Sequence, residues 1–336
     1  FYRSFLLNEC VGSSAPSLQG ASAAQVFAKF DLKQPYLVLN PTNSTFAKHN
    51  YRSYRAWPLE HWRELIHTLE FPGDQYIMRI RAPKCAAAAQ PGTFVHVTCD
   101  EALPMRRPLS IMRAGDDWIE VLYKIVGEGL RLLASKQPGD KINVLGPIGQ
   151  PFRPDPARPN ALLVGGGVGI PPMVFLAEAL RDTAAQPLAI LGSEIPFPFE
   201  VQSSAIETPW AGDGVVGTMP LLEGWGIPTR LTSLAGFEGC YRGYVTDLAE
   251  LWLASLDDDE KARVEIFTCG PTPMLKAVAA LAERYGVACE VSLEEFMACA
   301  VGGCAGCVVE VQEDSGPEMR RVCVDGPVFD GYSVFS

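Results

Sequence analysis

The sequence predicts a multi-domain protein of the α/β plus β class. We expect an antiparallel β-barrel, then a doubly wound parallel sheet, then a small cysteine-rich C-terminal domain. Short strands separated by turn signals run from residue 71 to 155, strands and helices alternate from 156 to 290, and four cysteines fall between 299 and 323. The length of 336 residues suits two or three domains, each with its own core.

Composition and charge exclude several classes of protein. Hydrophobic residues make up 48% of the chain and charged residues 20%, which excludes a disordered or collagen-like protein. The 28 Lys and Arg against 39 Asp and Glu give a net charge of −11, which argues against nucleic acid or an anionic membrane as the main partner. No signal peptide opens the sequence, and glycines and prolines interrupt the apolar stretch 161–180. We therefore expect a cytoplasmic protein without a membrane span.

Residues 1–70 form an N-terminal segment to which we assign no domain. Residues 13–24 are rich in Ser, Ala and Gly and predict irregular structure, whereas 35–39 predict a strand. Residues 58–69 predict an amphipathic helix, because Pro58 suits the first helical position. Apolar residues then recur at helical spacing, namely Leu59, Trp62, Leu65, Ile66 and Leu69.

Residues 71–155 predict the barrel. Turn signals separate short strands at 75–81, 93–98, 118–126 and 141–145. The proline-rich stretch 149–159 favours an extended chain and marks the boundary with the next domain.

Residues 156–290 predict the doubly wound sheet, and 291–336 a third domain. Strands are expected at 161–164, 188–191 and 264–268, and helices at 171–181 and 273–285. An alternation of strand and helix is typical of a parallel sheet covered by helices.

Four cysteines carry the strongest chemical signal in the chain. Their spacing, C-x4-C-x2-C-x15-C, matches the plant-type 2Fe–2S pattern and comprises Cys299, Cys304, Cys307 and Cys323. Gly302, Gly303 and Gly306 allow the loop to wrap closely and direct amides at sulfur. Tetrahedral zinc is the alternative, although zinc sites usually bring two C-x2-C knuckles. Six scattered cysteines beside one cluster indicate a metal site in a reducing compartment.

Two motifs in the predicted barrel offer groups for a flavin nucleotide. The first supplies a cation and a hydroxyl from Arg107, Pro108, Leu109 and Ser110. The second consists of Leu122, Tyr123 and Lys124, followed by Gly127-Glu128-Gly129 at a helix start, whose amides suit a pyrophosphate. Tyr123 is a candidate to flank the flavin ring. An ordinary strand with an exposed lysine is the alternative interpretation.

Three motifs in the predicted sheet domain suit a nicotinamide nucleotide. A glycine turn between strand and helix contains Gly166, Gly167 and Gly169 and offers amides to phosphate, although it is not a G-x-G-x-x-G fingerprint. At the carboxyl end of a later strand, Cys269, Gly270 and Pro271 are expected to face the nicotinamide. Glu194 would bind a ribose diol and repel a 2′-phosphate, which favours NADH over NADPH. The alternatives are a structural turn, a core cysteine and an exposed loop glutamate.

Together these strings resemble the ferredoxin–NADP reductase superfamily, and more closely the electron-transfer subunits of NAD-dependent (class 1B) dihydroorotate dehydrogenases. The resemblance covers about residues 71–336 and includes 107–111, 122–129, 165–172, 269–271, 292–299 and 321–329. It implies FAD bound by residues 107–110, by 122–124 and at Gly129 and Leu130, and a 2Fe–2S cluster on the four cysteines. The family usually has Gly-Thr where this chain has Gly129-Leu130, so a hydroxyl contact is lost.

The resemblance also implies a function in pyrimidine biosynthesis. Electrons pass between NADH, FAD and the 2Fe–2S cluster and the FMN of a dihydroorotate dehydrogenase catalytic subunit in a hetero-oligomer. Hydride transfer needs no acid or base, so no catalytic residue is assigned. Two alternatives are an NAD(P)H:acceptor oxidoreductase subunit for another partner, of ferredoxin, hydrogenase or transhydrogenase type, and a non-enzymatic zinc protein.

Overall fold

The computed structural model describes residues 36–37, 57–58, 62–101, 103 and 105–335. Two short strands, β1 (Tyr36–Leu37) and β2 (Trp57–Pro58), pair in antiparallel orientation. The predicted strand 35–39 contains β1, and the irregular stretch 13–24 lies outside the described residues. None of the helices in the described part of the chain combines the length and apolar character that a membrane crossing requires.

The first large element is a closed six-stranded antiparallel barrel, as predicted. Its strands follow the order β3-β4-β7-β6-β5-β8. They are β3 (Trp62–Phe71), β4 (Gln75–Arg81), β5 (Phe94–Thr98), β6 (Arg107–Ala114), β7 (Trp118–Lys124) and β8 (Lys141–Ile148). Alternating apolar residues such as Met78, Ile80, Ile119 and Val121 are fully buried inside. Closure leaves no unpaired strand edge.

The predicted helix over 58–69 is wrong. Residues 57–58 form β2, and β3 pairs with β4 along most of its length and with β8 at its start. A bulge between Leu65 and His67 shifts the register of β3. The shift breaks the strict alternation of apolar and polar residues, so their spacing imitates a helix. The barrel consequently begins at residue 62 and not at residue 71.

The second large element is a six-stranded sheet in the order β13-β10-β9-β14-β15-β18. Its strands are β9 (Asn160–Gly166), β10 (Leu188–Gly192), β13 (Thr229–Thr232), β14 (Val264–Cys269), β15 (Ala288–Ser292) and β18 (Val328–Asp330). The first five strands in the order are parallel, and β18 is antiparallel to β15. The remaining pairs are β11 (Gln202–Ser203) with β12 (Gly217–Thr218), and β16 (Val308–Glu313) with β17 (Gly316–Arg321).

Helices α1 (Pro83–Ala86) and α2 (Gly127–Ala134) contribute to the barrel core. The helices that follow in the chain are α3 (Ile170–Leu180), α4 (Pro220–Gly224), α5 (Val245–Ser255), α6 (Asp258–Lys261), α7 (Thr272–Tyr285) and α8 (Gly331–Phe335). Helix α3 is apolar around its circumference because it packs against β9 on one side and barrel strand β6 on the other. This shared helix joins the two large elements.

The C-terminal region is tied to the sheet domain more closely than the sequence suggests. Its strand β18 extends the sheet beyond β15, and α8 packs against α7. The irregular stretch 193–243 likewise contributes β13 to the opposite edge. Both edge strands are short, so neither gave a recognisable pattern in the sequence.

Candidate functional site

The fold brings the predicted flavin and nicotinamide motifs to the junction of barrel and sheet. Strand β7, which ends in Leu122, Tyr123 and Lys124, packs against the 3₁₀ turn Gly167–Gly169. This turn follows the carboxyl end of β9, the edge at which open α/β sheets bind ligands. The junction is therefore the candidate site.

Part of the Arg107 guanidinium group lies beside the start of α2. Its Nη1 donates to the carbonyl oxygens of Met105 (2.9 Å) and Arg106 (3.2 Å). Its Nη2 and Nε lie 3.4 and 3.5 Å from the position that a Cβ atom on Gly129 would occupy. No side chain caps the N-terminus of α2. A cation beside uncapped helical amides is a geometry that suits a pyrophosphate.

The apolar flavin-motif residues lie in the protein core. Leu109 and Leu130 belong to the barrel core, whereas Leu122 packs with α3 in the core of the sheet domain. Pro108, Ser110 and Lys124 are half-buried, which leaves them nearer the surface. These six motif positions, together with Arg107 and Gly129, are the candidates for binding the flavin. They combine buried apolar side chains with a few accessible polar groups.

Tyr123 occupies a different environment from the one predicted. The side chain is 1% exposed and stacks on Tyr76 with ring centroids 5.6 Å apart. Its hydroxyl group is buried with no hydrogen-bond partner among the described residues. Burial raises the pKa of this phenol. The ring is therefore part of the barrel core, which leaves the backbone at this position for a ligand.

The glycine turn and the Cys269-Gly270-Pro271 segment are in direct contact. A Cβ atom on Gly169 would lie 2.2 Å from the carbonyl oxygen of Cys269, and one on Gly166 would lie 2.5 Å from the sulfur of Met274. Gly167 has φ +55° and open space around it. The approach at Gly169 requires glycine, because the opposing atoms are backbone and a side chain would force the two strand-end turns apart. At Gly166 the opposing atom is the end of the flexible Met274 side chain, which can move.

Cys269 is buried at this edge next to Ser292, its register partner on β15. Burial raises the pKa of its thiol, and the nearby Glu294 carboxylate acts in the same direction. Glu294 itself is accessible to solvent but largely surrounded by protein, and this burial raises its pKa. Sequence analysis missed Glu294, although its position two residues after β15 could have indicated the ligand-binding edge.

Glu194 is exposed just after β10, and an aromatic cleft follows it in the chain. The cleft has a volume of about 700 Å³ and includes Phe71, Phe197, Phe199 and Phe237. Phe197 and Phe199 lie 5.2 Å apart between ring centroids. Residues 196–199 read Pro-Phe-Pro-Phe, and Pro196, Phe197 and Phe199 of this string line the cleft.

The four motif cysteines converge as two pairs. The thiols of Cys299 and Cys304 interact with each other, and those of Cys307 and Cys323 do the same. No three His, Cys, Asp or Glu side chains in the described ranges converge on a point for a single ion. These four thiols would hold a 2Fe–2S cluster, whose ligand set is four cysteine thiolates.

The loop backbone is shaped around these sulfur atoms. The N–H groups of Val301 and Cys304 donate to Cys299 Sγ at 3.5 and 3.4 Å, and that of Gly306 to Cys304 Sγ at 3.4 Å. Ala300 and Ala305 adopt left-handed backbone, with φ +54° and +51°. Non-glycine residues in this conformation cost about 1 kcal/mol each and concentrate at functional sites. The loop therefore fits the implied cluster.

His96 is a buried residue of barrel strand β5 that sequence analysis did not predict. Its side chain is fully buried, and neither ring nitrogen completes a hydrogen bond within the part of the chain that the structure describes. Burial lowers its pKa to about 4, the charge of Arg106 acts in the same direction, and the backbone of Met297 partly opposes this. Met297 lies two residues before Cys299, so His96 lies near the start of the cluster loop.

The low pKa of His96 predicts a loss of stability in acid. The unfolded ring titrates near pH 6.5, so the neutral folded ring stabilises the protein fully above that pH and progressively less as the pH falls toward 4. We expect His96 to account for about 3 kcal/mol of the unfolding free energy lost between pH 7 and pH 4. Urea unfolding of wild type and His96→Gln across this range measures the difference; parallel pH curves for the two proteins would contradict the expectation.

Comparisons with known proteins agree with this geometry. Residues 294–335 match the family model of the iron–sulfur cluster binding domain of dihydroorotate dehydrogenase B. The chain is 34% identical over 273 residues to the dihydroorotate dehydrogenase B (NAD+) electron transfer subunit of Shouchella clausii, which covers 79% of this chain and 94% of that protein. The subunit of Geobacillus thermodenitrificans is 36% identical over 264 residues, covering 76% of this chain and 90% of the relative.

Solved structures show the same architecture. An NADH-dependent reduced ferredoxin–NADP oxidoreductase, described in work on flavin-based electron bifurcation, superposes with a TM-score of 0.65 at 28% identity. The match covers 81% of this chain and 89% of that one. A cytochrome P450 reductase from Amycolatopsis shares the fold, with a TM-score of 0.51 at 17% identity over 68% of each chain.

Proposed function

Because the chain belongs to the family of dihydroorotate dehydrogenase B (NAD+) electron transfer subunits, we propose that its described residues form one electron path between NADH and a partner subunit. The chain is an NAD(P)H-dependent flavin and iron–sulfur oxidoreductase subunit with FAD and a 2Fe–2S cluster. It serves the FMN-containing dihydroorotate dehydrogenase catalytic subunit in a hetero-oligomer of pyrimidine biosynthesis. The four motif cysteines, with backbone N–H groups directed at their sulfur atoms, carry the proposal.

In this proposal, Arg107 and the amides at Gly129 and Leu130 hold the FAD pyrophosphate. The Nη2 and Nε donors of Arg107, which lie beside Gly129 at the uncapped start of α2, support this role. Ser110 and Lys124 offer polar groups to the flavin, and the backbone of Pro108, Leu109, Leu122 and Tyr123 lines its site. Leu130 replaces the hydroxyl that the family usually has, so the backbone amides carry more of the phosphate binding.

For NADH, the proposal places the phosphates at the glycine turn of Gly166, Gly167 and Gly169. The tight contact between this turn and Cys269, Gly270 and Pro271 supports a nicotinamide position beside those residues. Glu294 then offers its carboxyl group to the carboxamide, and Glu194 accepts from the ribose diol. The aromatic cleft offers phenylalanine rings for stacking with adenine, and polar side chains such as Glu200 and Gln202 also line it.

When bound at these residues, FAD would supply hydride chemistry toward NADH and one-electron chemistry toward a 2Fe–2S cluster, which would supply single-electron transfer. The protein residues position these groups and exclude water from them. Buried Leu109, Leu122 and Leu130 keep the barrel side of the site apolar. The loop amides at residues 301, 304 and 306 stabilise sulfur-centred negative charge on the cluster side.

We also propose a cytoplasmic location. Nine free cysteines lie in the described residues, and none of these thiols forms a disulfide. Many free thiols without a disulfide are typical of proteins in a reducing compartment.

An anaerobic visible spectrum before and after NADH addition tests the proposed function. We expect flavin bands with broad iron–sulfur absorption, both bleached by NADH, and co-purification with an FMN-containing catalytic subunit. Bleaching without binding to that subunit would favour another redox partner. A colourless, zinc-containing protein after anaerobic reconstitution would refute the reductase function.

Phe296 is the candidate anchor for the catalytic subunit. It is 94% exposed and lies three residues before Cys299, and Cys304 is also exposed on this loop. A partner that takes electrons from the cluster must approach this loop, and exposed aromatic residues are typical anchors of interfaces. We expect Phe296→Glu to weaken the affinity for the catalytic subunit by about 10- to 100-fold.

Titration of the purified subunits by analytical ultracentrifugation measures this effect. Leu251→Glu is the matched control, because Leu251 is 41% exposed on α5, away from the cluster loop in sequence and fold. The variant at 296 should keep the visible spectrum of the wild type. Equal affinities for Phe296→Glu and wild type would exclude Phe296 as an anchor.

A further inference from the structure

Arg113 at the end of barrel strand β6 binds directly to helix α3 of the sheet domain. Its Nη2 and Nε donate to Glu178 Oε1 at 2.7 and 3.2 Å, and Nε also lies 3.3 Å from Oε2. The two side chains are 22% and 17% exposed. A guanidinium–carboxylate pair with two donor atoms is geometrically specific, and partial burial shields it from water.

The Arg113 guanidinium group also belongs to a row of cation–π contacts, in which arginine side chains alternate with the indole rings of two tryptophans. The Trp118 ring centroid lies 3.9 Å from the Cζ of Arg79 and 5.6 Å from that of Arg113. The Trp225 ring centroid lies 5.4 Å from the Cζ of Arg113 and 5.5 Å from that of Arg181. Arg113 thus contacts both the barrel tryptophan, Trp118, and the sheet-domain tryptophan, Trp225. Such contacts are each worth about 0.5–2 kcal/mol.

Carboxylates in both the barrel and the sheet domain balance the positive charge of these arginines. In the barrel, the buried Glu120 carboxylate lies 2.7 Å from Arg79 and 4.0 Å from Arg113. In the sheet domain, Glu178 neutralises Arg113, and its hydrogen bond and charge raise the pKa of the guanidinium against the effect of burial.

The position of this pair within β6 and α3 suggests its role. Strand β6 begins with the flavin motif 107–110 and reaches Arg113 at its other end. Helix α3 begins directly after the glycine turn 167–169 and carries Glu178 in its last turn. The helix is about 16 Å long, so the pair fixes the far end of the element that presents the turn. One strand and one helix, each with a cofactor motif at one end, are thus joined at the other.

We propose that Arg113 is a positioning residue for hydride transfer, which it supports by fixing the orientation of the glycine turn relative to the flavin motif. The inference rests on the proposed function. Reacting atoms must approach to about 3–3.5 Å, and a misplacement of about 1 Å can slow a reaction on the order of 100-fold. Substrate affinity depends on contacts within the sheet domain, so a change in orientation alters the rate more than the affinity.

Arg113→Lys and Glu178→Gln test this proposal in the holoprotein. Both retain much of the side-chain volume, but lysine lacks the two-donor fork and the planar stacking surface. The control is Arg284→Lys, which alters an ion pair of 3.2 Å between Arg284 on α7 and Glu250 on α5, within the sheet domain. Single-turnover stopped-flow flavin reduction at increasing NADH concentration separates the limiting rate from the dissociation constant.

We expect Arg113→Lys to lower the limiting rate by about 10- to 100-fold while the dissociation constant for NADH changes by less than about threefold. Glu178→Gln should have the same effect to a smaller degree, and Arg284→Lys should match the wild type. Hydrogen exchange gives a readout independent of turnover: amides in α3 should exchange faster in Arg113→Lys, and those in α7 should not.

A limiting rate in both variants within twofold of the wild type would overturn the positioning role, as would equal losses in rate and affinity. Faster exchange in α3 and α7 alike would also overturn it, because it would indicate general destabilisation. If NADH does not reduce the wild-type flavin, the proposed function fails as well. Normal wild-type reduction with unaffected variants overturns the positioning role alone.

Discussion

Replacing Cys307 with serine is expected to abolish electron delivery to the catalytic subunit and to leave flavin reduction by NADH intact. Cys307 is buried beside Cys323, and its loss removes half of the ligands on one side of the proposed cluster. Serine is a much poorer iron ligand than a thiolate, so the cluster is lost. NADH oxidation coupled to the catalytic subunit should fall by at least about 100-fold, while reduction of an artificial hydride acceptor by NADH should persist.

Iron and sulfide analysis, the visible spectrum and the two NADH oxidation assays measure this outcome together. Cys240→Ser is the matched control, since Cys240 is a half-buried thiol outside the cluster motif. It should retain iron and both activities. Full iron content and partner-coupled activity in Cys307→Ser would refute the assignment of Cys307 as a ligand.

Replacing Gly169 with alanine is expected to disrupt the nicotinamide side of the site. The new Cβ atom would lie 2.2 and 2.4 Å from the carbonyl oxygen and carbon of Cys269. These are backbone atoms at the end of a buried strand, so relief requires that the two strand-end turns separate. Overpacking of this kind costs about 1–3 kcal/mol of unfolding free energy, and displacement of the turn should weaken NADH binding by about 100-fold.

Urea unfolding and NADH titration measure the two effects. Gly224→Ala at the end of α4 is the control, because no atom would lie within 4 Å of its Cβ and its backbone is not left-handed. This variant should unfold and bind NADH as the wild type does. Wild-type stability and NADH affinity in Gly169→Ala would show that the contact with Cys269 relaxes without consequence.

The order of elements and the cofactor motifs were determined by local sequence patterns. The four cysteines fall within 25 residues and the glycine turn within five, so short-range spacing was sufficient to find them. The predicted strand β4 and helices α3 and α7 were confirmed to within one residue. One buried face imposes a clear period on β4 and α7, whereas α3 was marked by the glycine turn and prolines at its start. The fold class and the family followed from these patterns.

Pairing between distant segments decided the rest. Strand β3 looked helical because a bulge opposite β4 disrupts its alternation, and a bulge depends on the partner strand. The short strands β13 and β18 joined the sheet only because neighbouring strands offered unpaired edges. Tyr123 entered the barrel core because Tyr76 stacks on it from another strand.

The residues that join parts of the site also became visible only in three dimensions. His96 and Met297 are about 200 positions apart in the chain, and Arg113 and Glu178 are 65 apart. A buried histidine or a paired arginine has no local sequence signature, since its environment consists of residues that the fold brings to it. The sequence therefore determined which cofactor motifs exist, and tertiary contacts determined how the barrel, the sheet and the cluster loop hold them in relation to one another.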